Sequence, residues 1–140
     1  MTDLTVKDFM QSNPPSVTVT TSLVETVELL LNRQLTALPV VGDTNEVVGI
    51  ISEYDCHKAM LMSSYHCDTP VYVKDILNTA VTNVHVEEGI ADVAIKLSEQ
   101  TSSVYPVLSN NKLVGLLTRS DILQALNENL SLCTSTANHA

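Results

Sequence analysis

Two aspartates stand at matching places in this chain. Asp55 closes the run Gly49-Ile-Ile-Ser52-Glu-Tyr-Asp55, and Asp121 closes Gly115-Leu-Leu-Thr118-Arg-Ser-Asp121. In each, a glycine and two aliphatic residues lead to a hydroxyl residue, and the carboxylate follows three positions later. That spacing has two chemical readings. A Ser or Thr followed three residues on by an acid is a capping box, in which hydroxyl and carboxylate satisfy free amides at a helix start. The same groups can hold a nucleotide. A carboxylate accepts from the vicinal hydroxyls of a ribose, and a hydroxyl beside helix amides receives a phosphate at the positive end of the dipole. One isolated copy would be a cap. Two copies at equivalent strand-to-helix junctions, each behind a glycine that admits a close neighbour, bring the ligand reading level with it.

The elements that must position these residues form a repeat. Val6-Lys7-Asp8-Phe9-Met10 aligns with Val73-Lys74-Asp75-Ile76-Leu77 at a shift of 67 residues, and Leu38-Pro39-Val40 falls on Tyr105-Pro106-Val107 at the same shift. The shift becomes 66 beyond the turn Gly42–Glu46, which is one residue longer than its counterpart Ser109–Lys112. A length change confined to a turn is what a structural repeat tolerates. Each unit reads β-α-β-β-α. A strand over Ser16–Thr20 or Asn83–Val86 precedes a helix started by Ser22 or Gly89. Two aliphatic strands follow around a polar turn, and then the helix carrying the aspartate, Glu53–Met62 or Arg119–Leu126. The strands are apolar at consecutive positions, which predicts burial on both faces. The fold class is α+β, with two units packed face to face. The chain divides into a first unit over 1–62, a linker over 63–72, a second unit over 73–126 and a polar, frayed tail over 127–140.

Composition narrows the function. With 140 residues there is room for one compact core. The net charge is −9 and the seven Lys and Arg residues are scattered singly, so nucleic acid and anionic membranes are not expected partners. No apolar run reaches membrane-spanning length and the N-terminus does not read as a secretory signal. Three cysteines, an odd count, suit free thiols in the cytoplasm. Cys56-His57 and His66-Cys67 are adjacent pairs, and neighbours on a helix point about 100° apart, so no metal site is expected. Asp55, Cys56 and His57 cannot converge as nucleophile, base and orienter, so no catalytic residues are assigned and no enzyme is expected.

The repeat resembles a tandem pair of cystathionine β-synthase (CBS) domains over about Val6 to Leu126. The resemblance rests on Leu38-Pro39-Val40-Val41 and Tyr105-Pro106-Val107-Leu108, each followed by its Gly-x-x-Ser/Thr-x-x-Asp motif, and on Val6-Lys-Asp-Phe-Met10. It implies a pseudo-two-fold module with two clefts for adenosine-type ligands, namely AMP, ADP, ATP, S-adenosylmethionine or a dinucleotide, and no cofactor. It assigns the ribose and phosphate side to Ser52 and Asp55, and to Thr118 and Asp121. It lays the base against Ala37, Leu38 and Pro39 or Val104, Tyr105 and Pro106, and against Val17 and Thr18 or Val84 and His85. This chain has Asn13-Pro14-Pro15 and Ala80-Val81-Thr82 where the family often has Thr-Pro. The implied function is a regulatory sensor acting on a separate effector protein and pairing as a homodimer. The alternative is a ligand-free interaction module with degenerate pockets. Two further expectations come from the residues. Ala59 to Met62 and Ile122, Leu123, Ala125 and Leu126 exceed one buried stripe, which marks an association surface or completes the core. The clefts should differ, because Glu53 follows Ser52 whereas Arg119 follows Thr118, so Arg119 should favour phosphate in the Asp121 cleft.

Overall fold

The structure, a computed structural model, describes residues 4–63 and 69–137, with side chains described as far as residue 128. The first repeat contains α1 (Val6–Phe9), β1 (Gln11–Ser12), α2 (Leu23–Arg33), β2 (Ala37–Val41), β3 (Val47–Ser52) and α3 (Glu53–Ser63). The second contains α4 (Val73–Ile76), β4 (Val84–His85), α5 (Ile90–Lys96), β5 (Val104–Ser109), β6 (Lys112–Thr118) and α6 (Arg119–Ala137). Ser22 starts α2 as expected, its Oγ accepting from the Glu25 amide at 3.1 Å. Gln34 stops that helix in the left-handed region, with φ 54°. β2 is buried along its whole length and pairs antiparallel with β3, Leu38 opposite Ile51. β5 pairs likewise with β6, Tyr105 opposite Leu117. Asn110 and Asn111, both at positive φ, close that hairpin with the backbone a two-residue turn demands.

Two expected elements differ. The strand over Ser16–Thr20 contracts to a single parallel bridge, Val17 to Val40. Thr18 turns the chain away at once, its amide donating to Thr21 Oγ1 at 3.0 Å. The tail is also not frayed where it is described. α6 runs past Leu126 to Ala137, and no Gly or Pro lies between these residues to stop it. Part of the 63–72 linker, residues 64–68, lies outside the described residues.

The lead-in segments are exchanged between repeats. Val6, at the start of the chain, is fully buried among Val84, Ile90, Val93 and Leu117 of the second repeat. Val73 is buried among Val17, Leu23, Leu38 and Ile51 of the first. The hydrogen bonds repeat the exchange residue for residue. Val6 N donates to Glu88 O and Val73 N to Thr21 O, both at 2.9 Å. β1 then adds to β6, completing the four-stranded sheet β1-β6-β5-β4, while Asn78 makes the matching bridge to Ile50 on β3 of the two-stranded sheet. A smaller cluster of Ala37, Val104 and Leu116 joins the two sheets. At the pseudo-two-fold axis Thr36 Oγ1 and Ser103 Oγ, equivalent residues, share a hydrogen bond.

The two motif glycines exist for this exchange. A Cβ on Gly115 would lie 2.6 Å from Met10 Sδ and 2.9 Å from the Gln11 carbonyl oxygen. A Cβ on Gly49 would lie 2.5 Å from Leu77 Cδ1 and 2.9 Å from the Asn78 carbonyl oxygen. The neighbour that the glycines admit is therefore the other repeat's backbone. Gly115→Ala should cost about 1–3 kcal/mol by forcing that backbone away. Urea denaturation should show it as a lower midpoint with a single retained transition, because neither core is complete alone.

Candidate ligand site

Both motifs make their capping bonds. Ser52 Oγ donates to Asp55 Oδ2 at 2.9 Å and accepts from the Asp55 amide at 3.1 Å. Thr118 donates to Asp121 Oδ2 from its amide and its hydroxyl, each at 2.8 Å, and Thr118 Oγ1 accepts from the Asp121 amide at 3.2 Å. The first amide of each helix is also used, Glu53 N by Thr36 O and Arg119 N by Ser103 O. Capping is thus real, and it occupies two of the free amides at each helix start. It does not exhaust the acids. Among the described residues every side-chain hydrogen bond of Asp55 and Asp121 falls on Oδ2, leaving Oδ1 as an acceptor.

A cleft of about 330 Å³ opens at the second motif. Thr118, Arg119, Ser120 and Asp121 form one wall with Ser103 and Val104. The facing wall comes from the first repeat, with Gln11, Arg33, Gln34, Leu35 and Thr36. Gln11 stands there because β1 is paired to β6, so the exchanged lead-in builds the site. A smaller recess lined by Ser12, Asn13, Pro14 and Pro15 adjoins it and shares Gln11, Arg33 and Leu35. This volume and mixed lining fall in the range of small-molecule sites.

Of the residues assigned by resemblance, the structure brings Val104, Thr118 and Asp121 together in this cleft, with Arg119, which the charge pattern singled out, beside them. Ser52 and Asp55 stand at the equivalent junction of the first repeat. Leu38, Tyr105, Val17 and Val84 put their side chains into the repeat cores, and Ala37 packs in the cluster between the sheets. Pro39 and Pro106 are buried on their strands, whereas Thr18 and His85 are exposed. For the core residues, any contact with a ligand is left to the backbone.

Arg119 also has structural partners. Its Nη2 donates to the carbonyls of Gln100 at 2.7 Å and Ser102 at 2.8 Å and to Tyr105 Oη at 3.0 Å. Tyr105 in turn donates to Ser102 O at 2.7 Å. Burial holds the Tyr105 phenol above its usual pKa, with the Arg119 charge opposing that shift, so the proton this bond needs is retained. Arg119 therefore latches the loop before β5. Arg33, which no sequence pattern marks, is the other cation on the cleft wall. The trace it leaves in the sequence is that Arg33 and Arg119 are the only arginines in the chain.

Cys56, behind Asp55, is 3% exposed. Burial and the adjacent Asp55 carboxylate push its thiol up to about 11. Its neighbour His57 lines an apolar groove between α2 and α3 together with Leu30, Leu31 and Met60. Among the described residues no three His, Cys, Asp or Glu side chains gather as a metal site, and the His66-Cys67 pair lies outside the described residues.

Two outcomes follow from these contacts. Arg119→Ala should destabilise the fold by about 1–3 kcal/mol, since two loop carbonyls and a phenol lose their donor. Proteolysis or hydrogen exchange should report loosening centred on residues 98–103. A thiol whose pKa is raised on folding favours the folded state fully below its unfolded pKa, and that contribution is lost as pH rises through about 11. Between pH 9 and 11 the wild type should therefore lose stability that Cys56→Ala does not, on the order of 2 kcal/mol, read by denaturant titration at each pH.

Residues 6–62 and 73–128 each match the family model for the CBS domain. The chain is similar to the CBS-pair protein CBSX2 from Arabidopsis thaliana, at 28% identity and a TM-score of 0.78 over 93% of this chain and 99% of that one. The complex of CBSX2 with AMP matches at 28% identity and a TM-score of 0.73 over 89% and 97%. The CBS domain pair of protein MJ0100, solved with 5′-methylthioadenosine and S-adenosyl-L-methionine, matches at 27% identity and a TM-score of 0.73 over 91% and 99%. Among curated proteins, the L-aspartate semialdehyde sulfurtransferase of Methanocaldococcus jannaschii is 29% identical over 118 residues, 84% of this chain but 22% of that protein. The first curated relatives it matches are longer, and the chain spans between 22% and 42% of their length. With both halves matched and the exchanged, pseudo-symmetric fold in place, the chain belongs to the CBS domain family and carries the domain as a tandem pair.

Proposed function

We propose that this CBS pair is a regulatory module that binds an adenosine-type ligand, AMP, ADP, ATP or S-adenosylmethionine, and acts on a separate effector protein in the cytoplasm. One observation carries the reading. The hydroxyl–carboxylate pair of Thr118 and Asp121, with one carboxylate oxygen unengaged, lines a cleft whose opposite wall belongs to the other repeat. A ligand seated there touches both repeats, so its binding energy bears on how they sit together. The complexes of CBSX2 with AMP and of MJ0100 with adenosine derivatives support the ligand class. Regulation is preferred to catalysis because relatives with enzyme names match over a minor part of their length. Among the described residues no helix is long and apolar enough to cross a membrane.

Homodimer formation is part of the proposal. The surplus apolar residues divide as core and surface. Ile122 and Ala125 are buried, whereas Met60, Met62, Leu123 and Leu126 are exposed, as are Leu31 on α2 and Ile95 on α5. The groove between α2 and α3, about 340 Å³ and lined by Val27, Leu30, Leu31, Cys56 and Met60, adds to the apolar surface of the first repeat. The bonds that cap both motifs favour a second reading, a ligand-free interaction module.

Calorimetric titration with adenosine ligands separates the two. Binding is expected, with an accompanying rise in Tm. Asp121→Asn should abolish the ligand-dependent rise while lowering ligand-free stability by only about 1 kcal/mol, the usual cost of a weakened cap. No heat with any adenosine ligand at millimolar concentration would leave the interaction module standing. Light scattering should give twice the chain mass, and a monomer at high micromolar concentration would rule out the dimer.

A further inference from the structure

The two motif junctions do not carry the same charge. We propose that the Asp121 cleft selects phosphorylated adenosine ligands and that Arg33, supplied by the other repeat, is the residue that reads the phosphate. This rests on the adenosine reading of the same cleft and adds to it a ligand subclass and a specificity-determining residue.

On a chain of net charge −9, both arginines line one cleft, where Asp121 is the single acid. The two cations are in different states. Arg119 is anchored through Nη2 to two loop carbonyls and a phenol, which fixes it as part of the wall. Arg33, the last residue of α2, is exposed and forms no hydrogen bond or ion pair among the described residues. It lines both the main cleft and the adjoining recess, so it stands between them. A planar guanidinium with open donors matches phosphate oxygens two at a time, and no existing partner has to be given up.

The first motif has no such group. The repeat shift places Gln100 where Arg33 stands, and Glu53 where Arg119 stands. Nearby cations do not make up the difference. Lys58 Nζ lies over the Tyr54 ring, 5.1 Å from its centroid, and His57 lines the apolar groove between helices. At the Asp55 junction a phosphate would therefore meet Glu53 and Asp55, two like charges, so that junction suits an uncharged or cationic substituent on the ribose.

Arg33→Gln, which installs the residue found at the equivalent place, tests the assignment. Isothermal titration of wild type and variant with AMP and with adenosine at low salt supplies four affinities. The variant should bind AMP about three- to tenfold more weakly and adenosine within twofold of wild type, as for a partly exposed ion pair. The wild-type preference for AMP over adenosine should shrink with added salt more than the variant's. Asp121→Asn should remove the salt-sensitive part, and Asp55→Asn should leave it. If Arg33→Gln weakens AMP and adenosine alike, or neither, or if Asp55→Asn removes the salt-sensitive part, the assignment fails while the adenosine reading stands. If the wild type binds no adenosine ligand at all, the adenosine reading fails and the assignment with it. The Arg33 side chain forms no hydrogen bond or ion pair among the described residues and only complements the end of α2, so a Tm close to wild type confirms that the variant is folded.

Discussion

The structure depends on two backbone contacts that only glycine permits. Gly49 and Gly115 sit mid-strand beneath the segment that leads into the opposite repeat, and each Cβ would collide with that segment's carbonyl. With the segments seated, Val6 and Val73 each close a core in the repeat they do not precede. The hydrophobic gain of each core is thereby made conditional on the other repeat. The two domains of sequence are one unit of folding free energy.

The cleft is a by-product of that exchange. β1 lies on β6 because Met10 and Gln11 pass over Gly115, and Gln11 is carried to the edge of the Thr118–Asp121 junction. The C-terminal end of α2 approaches from the same side, since Gln34 in the left-handed region turns the chain straight into β2. Thr36 and Ser103 meet at the axis and hold the two walls together. The capping bonds inside each motif orient its carboxylate before any ligand arrives. Capping and binding are therefore compatible: the cap fixes Oδ2, and Oδ1 remains to accept.

Much of this was legible in the chain, and the limits have physical causes. The 67-residue shift, the two hairpins and the Ser22 cap follow from local chemistry, and local chemistry is what a single sequence expresses. The pairing of Val6 with the second core is not local. A valine declares that it will be buried, not among which neighbours. The glycines announced a close approach, but whether ligand or backbone arrives there is a question of topology. Arg119 was visible as a charge beside Thr118. Its anchoring depends on where the 98–103 loop runs, and with that loop's carbonyls in reach the Nη2 donors go to them while the charge stays on the cleft wall. Arg33 belongs to the helix of one repeat and acts in the motif of the other, so no motif contains it. The helical tail beyond Leu126 went unread because polar side chains carry no burial signal even where nothing interrupts the helix.

The exchange also orders events on the ribosome. Val73 leaves the exit tunnel only after the whole of the first repeat, so that repeat is released with its core still open where Val73 will lie. Val6 emerges before the rest of both repeats and must wait longer than Val73's partners do, since its cavity is not built until β6 and α6 have been made. A segment synthesised ahead of both repeats is thus among the last to be placed. Such long-range closure raises contact order and slows folding. Throughout that interval the nascent chain exposes two strand edges, on β3 and on β6, that its own lead-in segments will later cover. A neighbouring nascent copy of the same chain offers the same segments in the same register, so crowded synthesis carries an inherent route to intermolecular exchange.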